Sequence, residues 1–287
     1  MKHFHAHAAM EAGGQLEPYS YDPGPIRDDD VEIDVAYCGL CHSDLNMIDN
    51  DWEVSTYPLV PGHEIVGTIT ALGSQVKHLT LGQEVGVGWK CRSCMHCEYC
   101  ATGSHTHCRD AENTIIGRHG GFSNKVRSQA AWVSPLPAGI SIETAGPLFC
   151  AGITTYHPLL IHHIQANQHI GVVGVGGLGH LGIQFARAWG CKVTAISTSP
   201  EKSADAIALG SSAVLDPRDP AALKSMRGKF DLILNTSSAS LDWDAFMSLL
   251  RPKGILHIMG VSDRLDVDVS HFINGQKSVT GSSIGSP

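Results

Sequence analysis

A dense group of cysteines offers the clearest chemistry in this sequence. Cys94, Cys97 and Cys100 are each separated by two residues, and Cys108 follows after seven more. Four thiolates on one loop suit a closed tetrahedral zinc site, so this set predicts a structural zinc. Cys91 extends the regular spacing backwards, and the run from Cys91 to Cys100 also resembles part of an iron–sulfur binding motif, which keeps that alternative open.

A second, looser set of metal-ligating side chains is spread over three segments. It comprises Cys41, His63, Glu64 and Cys150. Taken singly, each has an ordinary explanation, since His63 suits a buried imidazole and Cys150 suits a core position. Spacing alone does not establish that these residues meet.

A glycine-rich stretch follows an apolar segment in the second half of the chain. It consists of Gly174, Gly176, Gly177, Leu178 and Gly179, with Val175 between the first two glycines. In such a stretch the first glycine makes the tight turn, the second lets backbone N–H groups approach a pyrophosphate, and the third allows close contact between helix and strand. Because it opens an amphipathic segment, the stretch predicts a dinucleotide-binding loop.

The end of the next apolar segment bears on which dinucleotide is bound. Ser197, Thr198, Ser199 and Lys202 stand where an NAD-binding chain would carry an acid for the ribose 2′-hydroxyl. Three hydroxyls and an ammonium supply donors and positive charge for a 2′-phosphate, so we predict NADP(H). The simpler alternative is a helix N-cap at Ser199 with a solvated Lys202.

The elements that must position these residues fall into two halves with a boundary near residue 150. Residues 31–133 contain short β segments separated by Gly and Pro turns, which indicates an irregular β-barrel. Beyond the boundary, apolar strands alternate with helix-length segments, which indicates a doubly wound α/β domain. The six predicted strands are 169–173, 192–197, 213–215, 231–235, 254–260 and 278–282.

The first helix of the second half has one apolar stripe. We predict that it packs on the sheet through Leu178, Leu181, Phe185 and Ala188. At the N-terminus, His3, His5 and His7 would share one face of a strand, and a solvated strand face explains them better than a metal site does.

Composition narrows the class of protein. With 287 residues, of which 43% are hydrophobic, two domains are expected. A formal net charge of −8 without a basic patch argues against a nucleic-acid or anionic-membrane partner. The N-terminus lacks the apolar core of a signal peptide, and the clustered cysteines suit a reducing compartment, so a cytoplasmic protein is expected.

Four ordered motifs resemble those of a known family. They are Cys41-His42-Ser43-Asp44, Pro61-Gly62-His63-Glu64, the cysteines at 94, 97, 100 and 108, and the stretch 174–179. In this order they resemble the zinc-dependent medium-chain alcohol dehydrogenases, and most of all the cinnamyl-alcohol-dehydrogenase-like, NADP-dependent aldehyde reductases. The resemblance implies a GroES-like catalytic domain with both zinc sites over residues 1–150 and a Rossmann NADP-binding domain over residues 151–287.

The same resemblance implies roles for the second ligand set. Cys41, His63 and Cys150 would hold a catalytic zinc, with water, substrate or Glu64 in the fourth position. Such an open site lets Zn²⁺ act as a Lewis acid on an alcohol or carbonyl oxygen. Asp44 would orient His63.

Further roles follow from the resemblance alone. Ser43 would receive or deliver the alcohol proton, and His42 would lie near the cofactor pyrophosphate. Thr154, Ser282 and Ile284 resemble residues that contact the cofactor.

Three departures from the family pattern stand out. Asn46 occupies the place where many relatives have a His that ends the proton relay, and an amide cannot titrate. Ser283 stands where plant relatives have a bulky residue at the substrate pocket. The chain ends at Pro287, whereas relatives continue for one more short segment, so the C-terminal end of the usual fold is expected to be absent.

The sequence therefore predicts a zinc enzyme that transfers hydride between NADP(H) and a primary alcohol or aldehyde. Two Zn²⁺ per chain and a homodimer are expected, with a small-molecule substrate. One alternative is a polyol or secondary-alcohol dehydrogenase on the same fold, because fold does not fix substrate. The other is a non-catalytic, truncated NADP(H)-binding protein.

Overall fold

The computed structural model describes residues 3–260 and 264–286. Within it, contacts divide the chain into two compact units. The first contains the described residues up to Cys150 together with Ser286, and the second is Ala151–Gly285.

The first unit is mostly antiparallel β structure. Its strands are β1 Phe4–Ala9, β2 Leu16–Tyr21, β3 Asp30–Gly39, β4 Glu64–Leu72, β5 Glu84–Val87, β6 Lys90–Arg92, β7 Glu112–Asn113, β8 Lys125–Gln129 and β9 Ser134–Pro135. Five of them form a sheet in the order β8-β3-β4-β5-β9, and β1-β2 and β6-β7 form two small sheets. The helices are α1 His42–Asp49, α2 Glu98–Ala101 and α3 Ile142–Ala145, with 3₁₀ turns at His105–His107, Ala130–Trp132 and Gly146–Phe149.

Strands β3 and β4 form the centre of this unit. Their β-branched residues Val31, Ile33, Ile65 and Ile69 are buried in one apolar cluster, as residues with stiff, branched side chains favour on a pleated surface. The chain leaves β3 at Gly39, directly before α1, and enters β4 at Glu64. The antiparallel pair therefore brings the segments around residues 41 and 63 to the same end of the sheet.

Strand β1 shows the predicted alternation. His5 and His7 are exposed, whereas Phe4, Ala6 and Ala8 are buried. His5 Nδ1 lies 2.9 Å from Ser20 Oγ on β2.

The second unit is an α/β layer structure. Its strands are β10 His169–Val173, β11 Lys192–Ile196, β12 Ala213–Leu215, β13 Phe230–Asn235, β14 Leu250–Ile258 and β15 Ser278–Gly281. They form one parallel sheet in the order β12-β11-β10-β13-β14-β15. The helices are α4 Ala151–Ile161, α5 Gly177–Ala188, α6 Ser203–Ala208, α7 Pro220–Ser225, α8 Trp243–Leu249 and α9 Ser270–Gly275, with a 3₁₀ turn at Pro200–Lys202.

All six predicted strands of this unit are present; 169–173 and 213–215 have the predicted bounds, and the other four have corrected ends. The largest correction is β14, which begins at Leu250 rather than residue 254 and ends at Ile258 rather than 260. The sequence between Leu250 and Gly254 reads as a turn because it contains a proline. In the fold, Leu250 pairs with Phe230 on β13. The residues between Leu250 and Gly254 form an irregularity in the β13–β14 pairing, in which Lys253 has a φ of 65°.

The predicted buried face of α5 was wrong by about one residue. The fully buried side of the helix consists of Gly179, Gly182, Ile183 and Ala186. Leu178, Leu181 and Phe185 are only half-buried, and Ala188 is exposed. A Cβ on Gly179 would lie 2.0 Å from the carbonyl oxygen of Gly174, so the helix approaches the sheet through its smallest residues and larger neighbours cover the flanks.

No helix in the described part of the chain combines the length and apolar character that crossing a membrane requires.

Candidate active site

Four side chains of the looser ligand set converge in the first unit. One ligating atom from each of Cys41, His63, Glu64 and Cys150 lies within 4.8 Å of all the others. The Cys41 and Cys150 sulfurs are 3.8 Å apart, and His63 Nε2 lies 3.3 Å from Cys150 Sγ. Cys41 directly precedes α1, His63 and Glu64 stand at the start of β4, and Cys150 follows the 3₁₀ turn Gly146–Phe149.

Glycines make room for this convergence. A Cβ on Gly39 would lie 2.0 Å from Glu64 Oε2, so only glycine at the end of β3 admits the Glu64 side chain. On β5, a Cβ on Gly86 would meet the Phe149 ring at 2.0 Å. The bare backbone of β5 therefore lets the turn that carries Cys150 pack against the sheet.

Asp44 links two of the three ligand-bearing segments from a fully buried position. Its Oδ1 lies 2.8 Å from His63 Nδ1 and also accepts a hydrogen bond of 2.8 Å from the Gly62 N–H. Its Oδ2 accepts a hydrogen bond of 3.0 Å from the Cys41 N–H. One carboxylate thus fixes the backbone at Cys41 and at Gly62, next to His63, and also fixes the ring orientation of His63, whose Nε2 faces the sulfurs.

The protonation preferences of the set reflect this packing. The hydrogen bond from Cys150 lowers the pKa of Cys41 to about 4 despite burial, with His63 adding to the effect. Burial opposes protonation of His63, but hydrogen bonds to Asp44 and Cys41 raise its pKa to about 9. Burial and the nearby Cys41 raise the pKa of Glu64 to about 7, and the Cys41 hydrogen bond and burial raise that of Cys150. The ionised Cys41 and the acids around it therefore favour a positively charged group, such as a metal ion, at the centre of the cluster.

The donor set fits a zinc ion. Two thiolates, an imidazole and a carboxylate are ligands that Zn²⁺ uses. With Zn–S bonds of about 2.3 Å, a tetrahedral site separates two sulfurs by about 3.8 Å, which matches the 3.8 Å between Cys41 and Cys150. Cys41, His63, Glu64 and Cys150 could therefore be the four ligands of one zinc ion.

Helix α1 carries Ser43, which is expected to handle the proton, together with His42 and Asn46. His42 is exposed, and Ser43 and Asn46 are half-buried. They lie on the same short helix as Asp44, directly after Cys41. Their order in a relay remains a prediction.

Two tryptophans beside His63 were missed by the sequence reasoning. The Trp89 ring packs edge-on against the His63 imidazole at a centroid distance of 4.9 Å, and Trp52 packs against Trp89 at 5.8 Å. Both are half-buried and adjoin the apolar cluster around Met47 and Ile115. No spacing rule links them, because Trp52 follows α1 whereas Trp89 precedes β6.

The four clustered cysteines also come together. One sulfur from each of Cys94, Cys97, Cys100 and Cys108 lies within 4.8 Å of the others. The Cys97 N–H donates to the Cys94 sulfur at 3.3 Å, and the Cys94 N–H donates to the Cys108 sulfur at 3.4 Å. Hydrogen bonds from the backbone at His96 and Cys97 lower the pKa of Cys94 to about 6, which favours the thiolate. Four sulfurs without an open position suit a structural zinc.

Cys91 stands apart from this group. It is buried on β6 in the apolar core of the first unit, and its thiol donates to the Glu112 carbonyl at 3.5 Å. Burial raises its pKa to about 11, so the thiol form is favoured. The four sulfurs that converge therefore skip Cys91, and this geometry favours the zinc arrangement over the regular iron–sulfur spacing.

The glycine-rich loop of the second unit joins β10 to α5. Gly174 has a φ of 87°, a conformation that favours glycine, and Gly176 is the N-cap residue of α5. A Cβ at Gly176 or Gly177 would meet no atom within 4 Å, whereas one at Gly179 would collide with the Gly174 carbonyl. Gly179 is thus needed for packing, and the open space at the helix N-terminus suits a pyrophosphate.

The polar segment after β11 has a neighbour that the sequence reasoning missed. Ser197 Oγ accepts a hydrogen bond from the Ser199 N–H at 3.1 Å, and Ser199 makes no side-chain cap. Lys202 is exposed at the end of the turn. The Arg218 guanidinium donates to the Thr198 carbonyl at 2.7 Å.

The remaining predicted cofactor residues lie near the end of the sheet. The Thr154 hydroxyl on α4 donates to the Ser283 carbonyl at 3.2 Å, and Ile284 is buried. The Ser282 hydroxyl lies 2.9 Å from Nε2 of His257, a fully buried histidine on β14. The Ser282 side chain is therefore anchored within the second unit.

Family models match both parts of the chain. The alcohol dehydrogenase GroES-like domain model matches residues 27–138, and the zinc-binding dehydrogenase model matches residues 177–287.

Curated relatives match over almost the whole chain. Aldehyde reductase AdhA of Synechocystis sp. is 47% identical over 283 residues, covering 98% of this chain and 84% of that protein. Cinnamyl alcohol dehydrogenase 8 of Arabidopsis thaliana is 41% identical, covering 97% of this chain and 80% of that protein.

Solved structures show the same fold. A cinnamyl alcohol dehydrogenase from Sorghum bicolor superposes with a TM-score of 0.95 at 38% identity, covering 99% of this chain and 84% of that one. The Helicobacter pylori enzyme, which was crystallised with NADP(H), superposes with a TM-score of 0.90 at 30% identity, with the same coverage. The predicted pairing of GroES-like and Rossmann-type domains is confirmed, and the chain belongs to the zinc-binding medium-chain alcohol dehydrogenase family, in its cinnamyl-alcohol-dehydrogenase-like group.

Proposed function

We propose that this protein is a zinc-dependent, NADP(H)-using enzyme that interconverts primary alcohols and aldehydes and works mainly as an aldehyde reductase. The observation that carries the proposal is the convergence of Cys41, His63, Glu64 and Cys150 within 4.8 Å. These residues come from three segments far apart in sequence. Three thiolate or imidazole ligands with one replaceable carboxylate form a site suited to catalysis rather than to structure alone.

The proposal assigns a task to each residue around the site. Cys41, His63 and Cys150 hold the ion, and Asp44 fixes the His63 ring by accepting a hydrogen bond from Nδ1. When bound, the zinc supplies Lewis acidity at the substrate oxygen and NADPH supplies the hydride. Ser43 donates or accepts the hydroxyl proton of the substrate, and His42 lies close to the cofactor.

A second zinc at Cys94, Cys97, Cys100 and Cys108 would have a structural role. The four-residue helix α2 and the adjoining 3₁₀ turn are too short to be stable alone. Cross-linking by four thiolates would hold this loop in place. We therefore propose two zincs per chain, both in a catalytic domain that ends near residue 150.

The second unit is proposed as the NADP(H)-binding domain. The open N-terminus of α5 would take the pyrophosphate, with Gly174, Gly176, Gly177, Leu178 and Gly179 forming the loop. Ser197, Thr198, Ser199 and Lys202 would meet the 2′-phosphate. Thr154, Ser282 and Ile284 would also contact the cofactor. The NADP(H) complex of the Helicobacter pylori relative supports this cofactor.

The tryptophans beside the ligand set favour aromatic aldehydes. Trp89 contacts the His63 ring, and Trp52 packs against Trp89. We call these two rings the aromatic wall of the proposed substrate site. Flat aromatic surfaces bind conjugated rings by stacking or edge contacts, which sugar alcohols cannot make. The name of the Synechocystis relative supports an aldehyde substrate, and that of the cinnamyl alcohol dehydrogenase supports an aromatic one.

The proposal extends to assembly and location. Strand β15 pairs only with β14 in the described sheet, and an unpaired strand edge can add the same strand of a second copy. We propose a homodimer formed there. Cytoplasmic location is proposed because six of the nine cysteines would serve as zinc ligands, and thiolate ligands must stay reduced.

One experiment tests the activity directly. The purified full chain would be analysed for zinc content and assayed with NADPH against cinnamaldehyde, benzaldehyde and butanal, and with NADP⁺ against sorbitol in the reverse direction. The expected result is two zincs per chain and the highest kcat/KM with an aromatic aldehyde. Oxidation of sorbitol at the higher rate would instead support the polyol dehydrogenase alternative. NADPH binding without turnover in a zinc-replete sample would support the non-catalytic one.

A further inference from the structure

Arg218 lies next to the segment proposed to meet the 2′-phosphate, although it is 20 residues away from Thr198 in the chain. Strands β11 and β12 are parallel neighbours, and Ile196 pairs with Leu215 at their carboxyl ends. The Ser197 N–H donates to the Leu215 carbonyl at 3.0 Å. The residues that follow both strands therefore emerge at the same edge of the sheet.

The guanidinium is held in one orientation at this edge. Asp216 accepts from Arg218 Nε at 3.0 Å and from Nη2 at 2.8 Å, and Nη2 also donates to the Thr198 carbonyl at 2.7 Å. The backbone N–H of Arg218 donates to the same carboxylate at 2.9 Å. The hydrogen bonds from Arg218 lower the pKa of Asp216, so the carboxylate stays ionised. Across the described residues, no hydrogen bond engages Nη1.

Stability does not account for this arrangement. The Arg218 and Asp216 side chains are 61% and 42% exposed, and exposed ion pairs contribute little to folding. A guanidinium fixed in this way has lost its rotational freedom before a ligand arrives, which lowers the entropic cost of binding an anion. Glu201 also lies within electrostatic reach of Arg218, so the cation is not free of acidic neighbours.

We propose that Arg218 is a cofactor-specificity residue that binds the 2′-phosphate of NADP(H) through its free Nη1 edge, with Asp216 as the positioning residue. This inference rests on the proposed use of NADP(H). Ser197, Thr198 and Ser199 supply hydroxyl donors to the same group, and Lys202 supplies a second cation. The charge-assisted bond from a planar guanidinium adds directional recognition that the flexible ammonium lacks.

The test compares the wild type with Arg218→Ala, Arg218→Lys and the control Arg227→Ala, which removes an equal charge from another exposed position of the second unit. Calorimetry would measure the affinity of the full zinc-loaded chain for adenosine 2′,5′-bisphosphate and for 5′-AMP. Steady-state kinetics would give kcat/KM with NADPH and with NADH. Unfolding temperatures would show whether each variant is folded.

Loss of a charge-assisted hydrogen bond should weaken 2′,5′-bisphosphate binding by about tenfold to a hundredfold in Arg218→Ala. Binding of 5′-AMP and kcat/KM with NADH should change by less than about twofold. The affinity of Arg218→Lys for the 2′,5′-bisphosphate should lie between those of the wild type and Arg218→Ala. Arg227→Ala should bind both ligands as the wild type does. Equal losses for both adenosine ligands, or an equal loss in Arg227→Ala, would overturn the assignment.

Two outcomes distinguish the use of NADP(H) from the role of Arg218. A wild type that does not prefer the 2′,5′-bisphosphate over 5′-AMP would contradict the proposed use of NADP(H) itself. A wild type with that preference, undiminished in Arg218→Ala, would contradict only the role of Arg218.

Discussion

Asp44 Oδ1 lies 2.8 Å from His63 Nδ1, and both side chains are fully inaccessible to solvent. This contact directs Nε2 of the imidazole towards the sulfur of Cys150, 3.3 Å away. A buried carboxylate behind a ligating histidine fixes the ring orientation and raises its basicity. The pair therefore governs how well the proposed catalytic ion is held.

Asp44→Asn tests that relationship. The amide keeps the size of the side chain but loses the negative charge, so we expect zinc affinity at the catalytic site to fall by about tenfold to a hundredfold. The structural site does not use Asp44. Chelator competition followed by metal analysis should thus show one weakly held and one firmly held zinc. Retention of two tightly bound zincs in the variant would be evidence against the role of Asp44.

Substituting one ligand from each site should separate their roles. Cys97→Ser opens the closed four-sulfur set, so we expect loss of soluble, folded protein, because metal binding there contributes folding free energy. Cys150→Ser should abolish aldehyde reduction while the circular dichroism spectrum and yield stay near wild type. Metal analysis should find about one zinc in Cys150→Ser. Similar yields and similar activity losses in both variants would contradict this division.

Two glycines of the same loop should respond differently to alanine. At Gly176 a Cβ would meet nothing within 4 Å, so Gly176→Ala should leave the unfolding temperature unchanged. Because that space is proposed for the pyrophosphate, NADPH binding should weaken by about tenfold or more. At Gly179 a Cβ would lie 2.0 Å from a backbone oxygen, and Gly179→Ala should cost about 1–3 kcal/mol of stability. Fluorescence titration and thermal unfolding would measure the two effects, and the opposite pattern would show that the open space is not the cofactor site.

Trp52→Leu tests the aromatic wall without touching the ligand His63. The Trp52 ring contacts Trp89 at a centroid distance of 5.8 Å, and Trp89 contacts His63. Losing an aromatic contact of about 0.5–1.5 kcal/mol should lower kcat/KM for cinnamaldehyde by about twofold to tenfold relative to butanal. The ratio between the two aldehydes is the informative quantity, since damage to the zinc site would lower both. An unchanged ratio would place the substrate ring elsewhere.

His257 should make stability depend on pH. Burial lowers its pKa to about 4, with nearby His162 and His157 acting in the same direction. A histidine in the unfolded chain has a pKa of about 6.5. Between about pH 4 and 6.5, the unfolded chain therefore binds a proton at this position that the folded chain does not. The free energy of unfolding is therefore fully retained above about pH 6.5 and falls as the pH drops towards 4, by as much as about 3 kcal/mol.

Urea unfolding at pH 7.5 and pH 5 would measure this dependence. His257→Gln cannot titrate but keeps a polar partner near Ser282, so its loss of stability between the two pH values should be smaller than that of the wild type. His163→Asn, which removes an exposed neighbouring histidine, should behave like the wild type. An equal pH dependence in His257→Gln would assign the acid sensitivity to other groups.

Features that depend on neighbouring residues could be predicted from the sequence. The spacing of Cys94, Cys97, Cys100 and Cys108 confines four sulfurs to one short loop, so few conformations keep them apart. The glycine-rich stretch could be placed between strand and helix because periodicity changes there within a few residues. For the same reason all six strands of the parallel sheet were predicted, although local patterns did not fix the start of β14 or the buried side of α5.

Tertiary structure decided which distant residues meet. Cys41 and Cys150 are 109 positions apart, and their 3.8 Å contact depends on the register of β3 with β4 and on bare glycine backbone at Gly39 and Gly86. The sequence showed ligating residue types, and only a family resemblance joined them. Arg218 reaches Thr198 because two parallel strands end at the same edge of a sheet. Spacing patterns predict contacts between residues within one turn or loop. Contacts between distant residues depend on strand order and packing, which cannot be predicted from local patterns in this sequence.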